Sequence, residues 1–207
     1  MKIFKDRIAA GELLANRLTN IKADIVLGIP RGGVMVAAIV AKELNLPLDI
    51  IVTRKIGAPG QEELALGAID PDGEVVWDSD LLEQLNPPAG GLKFKIEEAK
   101  EEIKRREKLY RGDRGIQGIQ GKTVILVDDG IATGSTILSA IKYLKRHGAS
   151  IILAIPVASQ DALRKIENEV DKSVVLETPE YFQAVGQFYH QFEAVTDEEV
   201  IQLLNGR

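Results

Sequence analysis

The chain has no cysteine, only two histidines, a single tryptophan, and aromatic residues at just 5% of its 207 positions. The absence of cysteine excludes disulfides, iron–sulfur clusters and thiolate-held zinc. His147 lies in Lys145-Arg146-His147-Gly148, a pattern that suits the cationic end of a helix. Both histidines read more simply as ordinary side chains than as metal ligands. No apolar run is long enough to span a bilayer, and nothing resembles a signal peptide, so a soluble, cytoplasmic protein is expected. Basic excess is lacking too. Lys and Arg number 26 against 31 Asp and Glu, for a formal net charge of -5. Such a balance argues against non-specific nucleic-acid binding, and any anion site must be local.

What is present is enough apolar material, 45% of residues, for one core. Asp6 is placed to cap a helix running to Leu18. Asp24 to Gly28 reads as a buried strand, Gly33 to Leu44 as a helix, and Leu48 to Arg54 as a second strand. This α, β, α, β order is the rhythm of a parallel sheet with crossover helices. Gly57-Ala-Pro-Gly60 signals a loop. Leu64 to Ile69 and Glu74 to Trp77, joined by Asp70-Pro-Asp-Gly73, predict a hairpin. Pro87-Pro88-Ala-Gly-Gly91 breaks the chain before an amphipathic helix over 93–111, with Ile96, Ala99, Ile103 and Tyr110 on one stripe. Val124 to Val127, Ile151 to Val157 and Ser173 to Leu176 read as strands. Helices are expected over 136–147 and 162–169, and Thr196-Asp-Glu-Glu199 is a capping box for a last helix. The expectation is a single α/β domain over 1–207. Its core lies at about 20–160 with an insertion at about 70–120, and its tail at about 177–207.

The informative segment is Val124-Ile-Leu-Val-Asp-Asp-Gly-Ile-Ala-Thr-Gly-Ser-Thr136. An apolar strand runs into two adjacent carboxylates, then a Gly/Thr-rich turn, then a helix. Ligands of open parallel sheets bind beyond the carboxyl ends of the strands. A turn of Thr133, Gly134, Ser135 and Thr136 at a helix N-terminus can wrap a phosphate with backbone amides and hydroxyls. Asp128 and Asp129 repel each other unless sugar hydroxyls or a Mg²⁺ ion share them. A plain turn and a plain helix cap would explain either half alone, but less well why both directly follow a buried strand. Gly121-Lys122-Thr123 is not a Walker loop, because Ile116 replaces its first Gly and a strand follows.

Val127 to Thr136 resembles the motif of type I phosphoribosyltransferases that binds 5-phosphoribosyl 1-diphosphate (PRPP). Gly28-Ile-Pro-Arg-Gly-Gly33 and Thr53-Arg54-Lys55-Ile-Gly57 match that family's other loops in order, so the resemblance spans roughly residues 24 to 160. Phe4, Asp6-Arg7, Glu63 to Gly67, Glu177-Thr-Pro and Ala184-Val-Gly-Gln-Phe-Tyr189 extend it to a bacterial subgroup with no firmly assigned acceptor.

The resemblance implies an open, mainly parallel sheet flanked by helices, with an inserted hairpin-and-helix segment and a hood-like tail. It implies a Mg²⁺-dependent transfer of ribose 5-phosphate from PRPP to a nucleobase, as in salvage, with diphosphate leaving. Asp128 and Asp129 would hold the ribose hydroxyls and, indirectly, Mg²⁺. Ala132, Thr133, Gly134, Ser135 and Thr136 would hold the 5-phosphate. Arg31, Gly32, Gly33, Arg54 and Lys55 would face the diphosphate. Relatives that act on 6-oxopurines carry Asp where Ala132 stands, which puts hypoxanthine and guanine in doubt. Tyr181, Phe182, Phe188, Tyr189 and Phe192 could stack on the acceptor; ordinary core is an equal reading of these rings. Relatives are commonly homodimers. The alternative function is a non-catalytic regulator that senses PRPP. Retained leaving-group cations favour the enzyme.

Overall fold

A computed structural model describes residues 3–58, 60–116 and 118–206, leaving aside the side chains of Glu62 and Glu63. Glu63, part of the subgroup pattern, and Pro59 of the expected loop therefore lie wholly or partly outside the described residues.

Helix α1 (Arg7–Leu18) starts where Asp6 accepts from the Ala9 amide. Strand β1 (Ile25–Gly28), helix α2 (Gly32–Glu43) and strand β2 (Leu48–Ile50) follow. A hairpin sheet comes next, made of β3 (Arg54–Ala58), β4 (Gln61–Ile69) and β5 (Val75–Trp77). Helices α3 (Ser79–Leu85) and α4 (Ala89–Arg111) lead back to β6 (Thr123–Val127) and α5 (Ser135–Arg146). The chain ends with β7 (Ser150–Val157), α6 (Gln160–Ile166), β8 (Lys172–Glu177) and α7 (Asp197–Asn205).

The main sheet is all parallel, in the order β2-β1-β6-β7-β8. Its strands alternate between two apolar layers, the period-two geometry of a sheet covered on both faces. Ile25, Leu27, Val124 and Leu126 pack under α5 and α6, while Val26, Ile125 and Val127 pack under α1 and α2. Fully burying one such side chain is worth about 1.5–3 kcal/mol, so a slip of one residue in register would be costly. The antiparallel sheet β3-β4-β5 shares a third cluster with α4 and α7, through Ile56, Ile69, Ala99, Ile103, Tyr110 and Val200.

Three expectations need correction. The run Leu48 to Arg54 is not one strand: β2 stops at Ile50, and Arg54 opens the second sheet. Ile51, Val52 and Thr53 between them are buried, so the apolar run hides the bend. Gly57 and Ala58 belong to β3, where the register slips twice, and the turn falls at Gly60 with φ +80°. Finally, the Pro-Gly break at 87–91 does not exclude helix. Pro88 caps α4, where a missing N–H costs nothing. Helix α3 was not foreseen; it buries no residue and leaves no apolar stripe to read, only Asp78 accepting from the Leu81 amide.

Candidate active site

Parallel pairing sets Gly28 beside Val127, so the turns that follow β1 and β6 leave the sheet side by side. Their contact is close. A Cβ at Gly32 would lie 1.9 Å from Asp129 Oδ2, and one at Gly33 would lie 2.7 Å from Asp128 Oδ1. Only glycine lets the Arg31-Gly32-Gly33 turn sit against the two acids. The peptide between Pro30 and Arg31 is cis, although Arg31 is not a proline. Lys55, exposed at the start of β3, is near enough for its charge to act on Asp128.

Both carboxylates are partly buried, and both are pushed above the usual Asp range. For Asp128 burial is the main cause and the neighbouring Asp129 the second. Asp129 is raised by burial and opposed by Arg7. Arg7 Nε donates to Asp129 Oδ2 at 2.8 Å, and Arg7 Nη1 donates to the Glu193 carbonyl at 2.9 Å. The same guanidinium lies 3.8 Å over the Phe192 ring. Tyr189 OH donates to the Asp129 carbonyl at 2.6 Å. Arg7 was quoted in the subgroup pattern but given no role. Its signal, one Arg after an N-cap Asp, is invisible without the tertiary contact.

Beyond the acids, Gly134 takes φ +84°, and a Cβ there would strike Ile166. Helix α5 begins directly after it, without a side-chain cap and with no acid in its first turn. The start of α2 at Arg31 shares both features. α4 shares them too, after Pro88, whereas α1, α3, α6 and α7 are capped by Asp6, Asp78, Ser159 and Thr196. So the helix ends flanking the acid pair carry no side-chain cap, which leaves their first N–H groups without a side-chain partner of that kind. Ser159 Oγ donates to the Ala132 carbonyl at 2.7 Å and steadies the turn. Thr133, Gly134 and Ser135 also line a cavity of ≈ 300 Å³ with Trp77, Asp78 and Lys165.

The aromatic residues separate. Phe188 and Tyr189 are buried with Phe4, Ala10 and Val157, at 3% and 1% exposure, and offer no face to a ligand. Phe192 stacks on Tyr189, with ring centroids 4.9 Å apart, and also lies against the Arg7 guanidinium. Phe182 leans on Phe188 at 4.9 Å. Tyr181 alone among the five stands free, at 82% exposure. Arg31 and Arg54 already face carboxylates, Asp197 at 3.8 Å and Glu102 at 3.6 Å.

Fold and site together define the class: an open parallel α/β protein with a vicinal carboxylate pair and two uncapped helix N-termini at one sheet edge. Residues 3–193 match the model of the phosphoribosyl transferase domain. The chain belongs to that family. It is 41% identical over 208 residues to Rv0571c of Mycobacterium tuberculosis, whose name as a phosphoribosyl transferase is provisional; the match takes in 99% of this chain and 47% of that one. The chain thus spans about half the length of the curated relatives it matches. Among solved structures, TT1426 from Thermus thermophilus superposes with a TM-score of 0.81 at 38% identity, covering 99% of this chain and 98% of that one. A purine phosphoribosyltransferase from Pyrococcus horikoshii shares the fold, with a TM-score of 0.50 at 19% identity and 90% of each chain covered. No helix among the described residues is long and apolar enough to cross a membrane.

Proposed function

We propose that this chain transfers ribose 5-phosphate from PRPP to a planar, nucleobase-like acceptor and releases diphosphate. The observation that carries the reading is the glycine contact: the Arg31-Gly32-Gly33 turn closes directly onto Asp128 and Asp129, beside the open start of α5. A ribose 5-phosphate needs hydroxyl acceptors and a phosphate cradle a few ångströms apart, and this edge supplies both. The 5-phosphate takes the N–H groups and hydroxyls of the segment Ala132 to Thr136. The ribose hydroxyls donate to Asp128 and Asp129. Arg31, Arg54 and Lys55 neutralise the diphosphate as charge builds on it.

The residues fit Mg²⁺ in a specific sense. Among the described residues no group of three or more His, Asp or Glu could hold a metal on its own. Asp128 and Asp129 are two crowded carboxylates whose charge Arg7 and Lys55 oppose. Mg²⁺ is commonly held by one or two carboxylates together with water and phosphate oxygens. Asp128 and Asp129 would hold it, through water, and it would supply charge compensation for the leaving diphosphate. The chain's own part is to orient the sugar, exclude water and keep the departing charge paired.

Tyr181 and the half-buried Phe182 are the proposed acceptor-stacking rings, with the tail from about 177 to 207 as the hood. Ala132 brings no carboxylate to the acceptor, which supports a base other than a 6-oxopurine. The test is a diphosphate-release screen with PRPP, Mg²⁺ and a panel of bases. Release that depends on one base is expected. An Asp129→Asn variant should lose PRPP affinity at least tenfold by calorimetry, and unchanged affinity would count against the site.

A further inference from the structure

The two arginines assigned to the diphosphate are each held loosely by a carboxylate from outside the main sheet. Arg31 Nη1 lies 3.8 Å from Asp197 Oδ1, and Arg54 Nη1 lies 3.6 Å from Glu102 Oε1. Neither separation is a hydrogen bond. The arginine side chains stay 43% and 38% exposed, more than their partners at 25% and 21%.

The carboxylates, in contrast, are firmly satisfied by other groups. Glu102 accepts from Arg105 Nε at 2.7 Å, Arg105 Nη2 at 3.0 Å and Arg106 Nε at 2.7 Å. The Arg105 bond is the main reason the Glu102 carboxyl drops to about 2. Asp197 accepts from the buried phenol of Tyr110 and sits in the first turn of α7, where the dipole favours an anion. Either arginine can therefore depart without stranding a charge. The two holding points also adjoin, since Asp197 acts electrostatically on Arg105, and Arg31 and Arg106 act on Tyr110. Asp197 lies beyond residue 193, where the family match ends.

We infer that Glu102 and Asp197 are positioning residues that hold Arg54 and Arg31 beside the diphosphate subsite while it is empty and yield them to a bound diphosphate. The inference rests on the assignment of both arginines to the diphosphate in the proposed function. A multiply charged diphosphate offers each guanidinium hydrogen bonds that the shared carboxylates do not. Partial neutralisation by Glu102 and Asp197 keeps the departing product from being held too tightly.

The test is calorimetry, with Mg²⁺ present, using inorganic diphosphate and ribose 5-phosphate as separate probes. Glu102→Gln and Asp197→Asn are each expected to tighten diphosphate about twofold to fivefold, the worth of an exposed ion pair, and to leave ribose 5-phosphate unchanged. The gain should vanish when Arg54→Ala accompanies Glu102→Gln, or Arg31→Ala accompanies Asp197→Asn. Diphosphate affinity that is unchanged or weaker while ribose 5-phosphate still binds overturns the inference alone. So does a gain that survives loss of the arginine. Weakening of both probes together would mark these acids as merely structural and equally overturn it. If neither probe binds the unaltered protein, the functional reading falls and this inference with it.

Discussion

Arg7 and Asp129, 122 positions apart, are joined by a 2.8 Å hydrogen bond from Nε to Oδ2 at the centre of the site. Their side chains are only 11% and 14% exposed. The same guanidinium fixes the Glu193 carbonyl and covers Phe192. One residue of the first helix thus orients a proposed substrate ligand and ties the C-terminal tail over it.

Arg7→Ala should therefore cost about 2–3 kcal/mol in urea denaturation, since it leaves a partly buried carboxylate without its cation. Adding Asp129→Asn should recover a good part of that loss, because the stranded charge is then gone. Arg7→Lys should rescue only partly, as an ammonium cannot bond Asp129, bond Glu193 and cover a ring in one plane. Equal costs of Arg7→Ala in both backgrounds would show that no coupling exists.

Asp128 gives a pH prediction. Burial, then Asp129, raises its folded-state value above the ordinary Asp value of about 3.9 that the unfolded chain keeps. Between those two values the folded state binds more protons than the unfolded state, so this group's contribution to stability falls as pH rises through the window. Above that window the full penalty is present. Asp128→Asn keeps an oxygen for the Asp129 amide, which now donates to Asp128 Oδ1 at 2.9 Å, while removing the charge. It should raise the melting stability of the ligand-free protein at pH 7, and the advantage should shrink as the pH falls toward the ordinary Asp value. Tenfold or greater loss of PRPP affinity should accompany the gain, a trade of stability for function.

The sequence alone carried much of this site because its informative parts are local. Asp128, Asp129 and the turn to Thr136 are contiguous, and the strand before them alternates between two buried layers. Caps at Asp6, Ser159 and Thr196 were legible for the same reason. Contacts between distant segments were not. Nothing around Arg7, Glu102 or Asp197 distinguishes them from solvated charges until the chain folds. Phe188 and Tyr189 illustrate the opposite failure, since an aromatic pair in a tail serves a core or a ligand equally well until burial decides. The bend after Ile50 was hidden because residues on both sides of it are apolar and buried.

Lys55 should matter more to turnover than to binding. Exposed near the start of β3, its ammonium can follow charge as it develops on diphosphate. Lys55→Ala is expected to lower kcat at least tenfold with a smaller change in KM. A matching loss in both constants would mean that Lys55 grips the ground state as strongly as the transition state.

Gly32 and Gly90 make a paired test of the close approach between the two turns. A Cβ at Gly32 would overlap Asp129 Oδ2 and lie 2.9 Å from Arg7 Nε, so the turn or the carboxylate must shift. At Gly90, in the first turn of α4, nothing lies within 4 Å of an added Cβ. Gly90→Ala should be neutral or stabilising by up to about 1 kcal/mol, the propensity difference in a helix. Gly32→Ala should leave far-ultraviolet dichroism intact yet weaken PRPP at least tenfold, because the displaced carboxylate belongs to the proposed ribose site rather than to the core. If Gly32→Ala binds PRPP as the unaltered protein does, the sugar cannot lie between these turns, and the site must be sought elsewhere on the sheet edge.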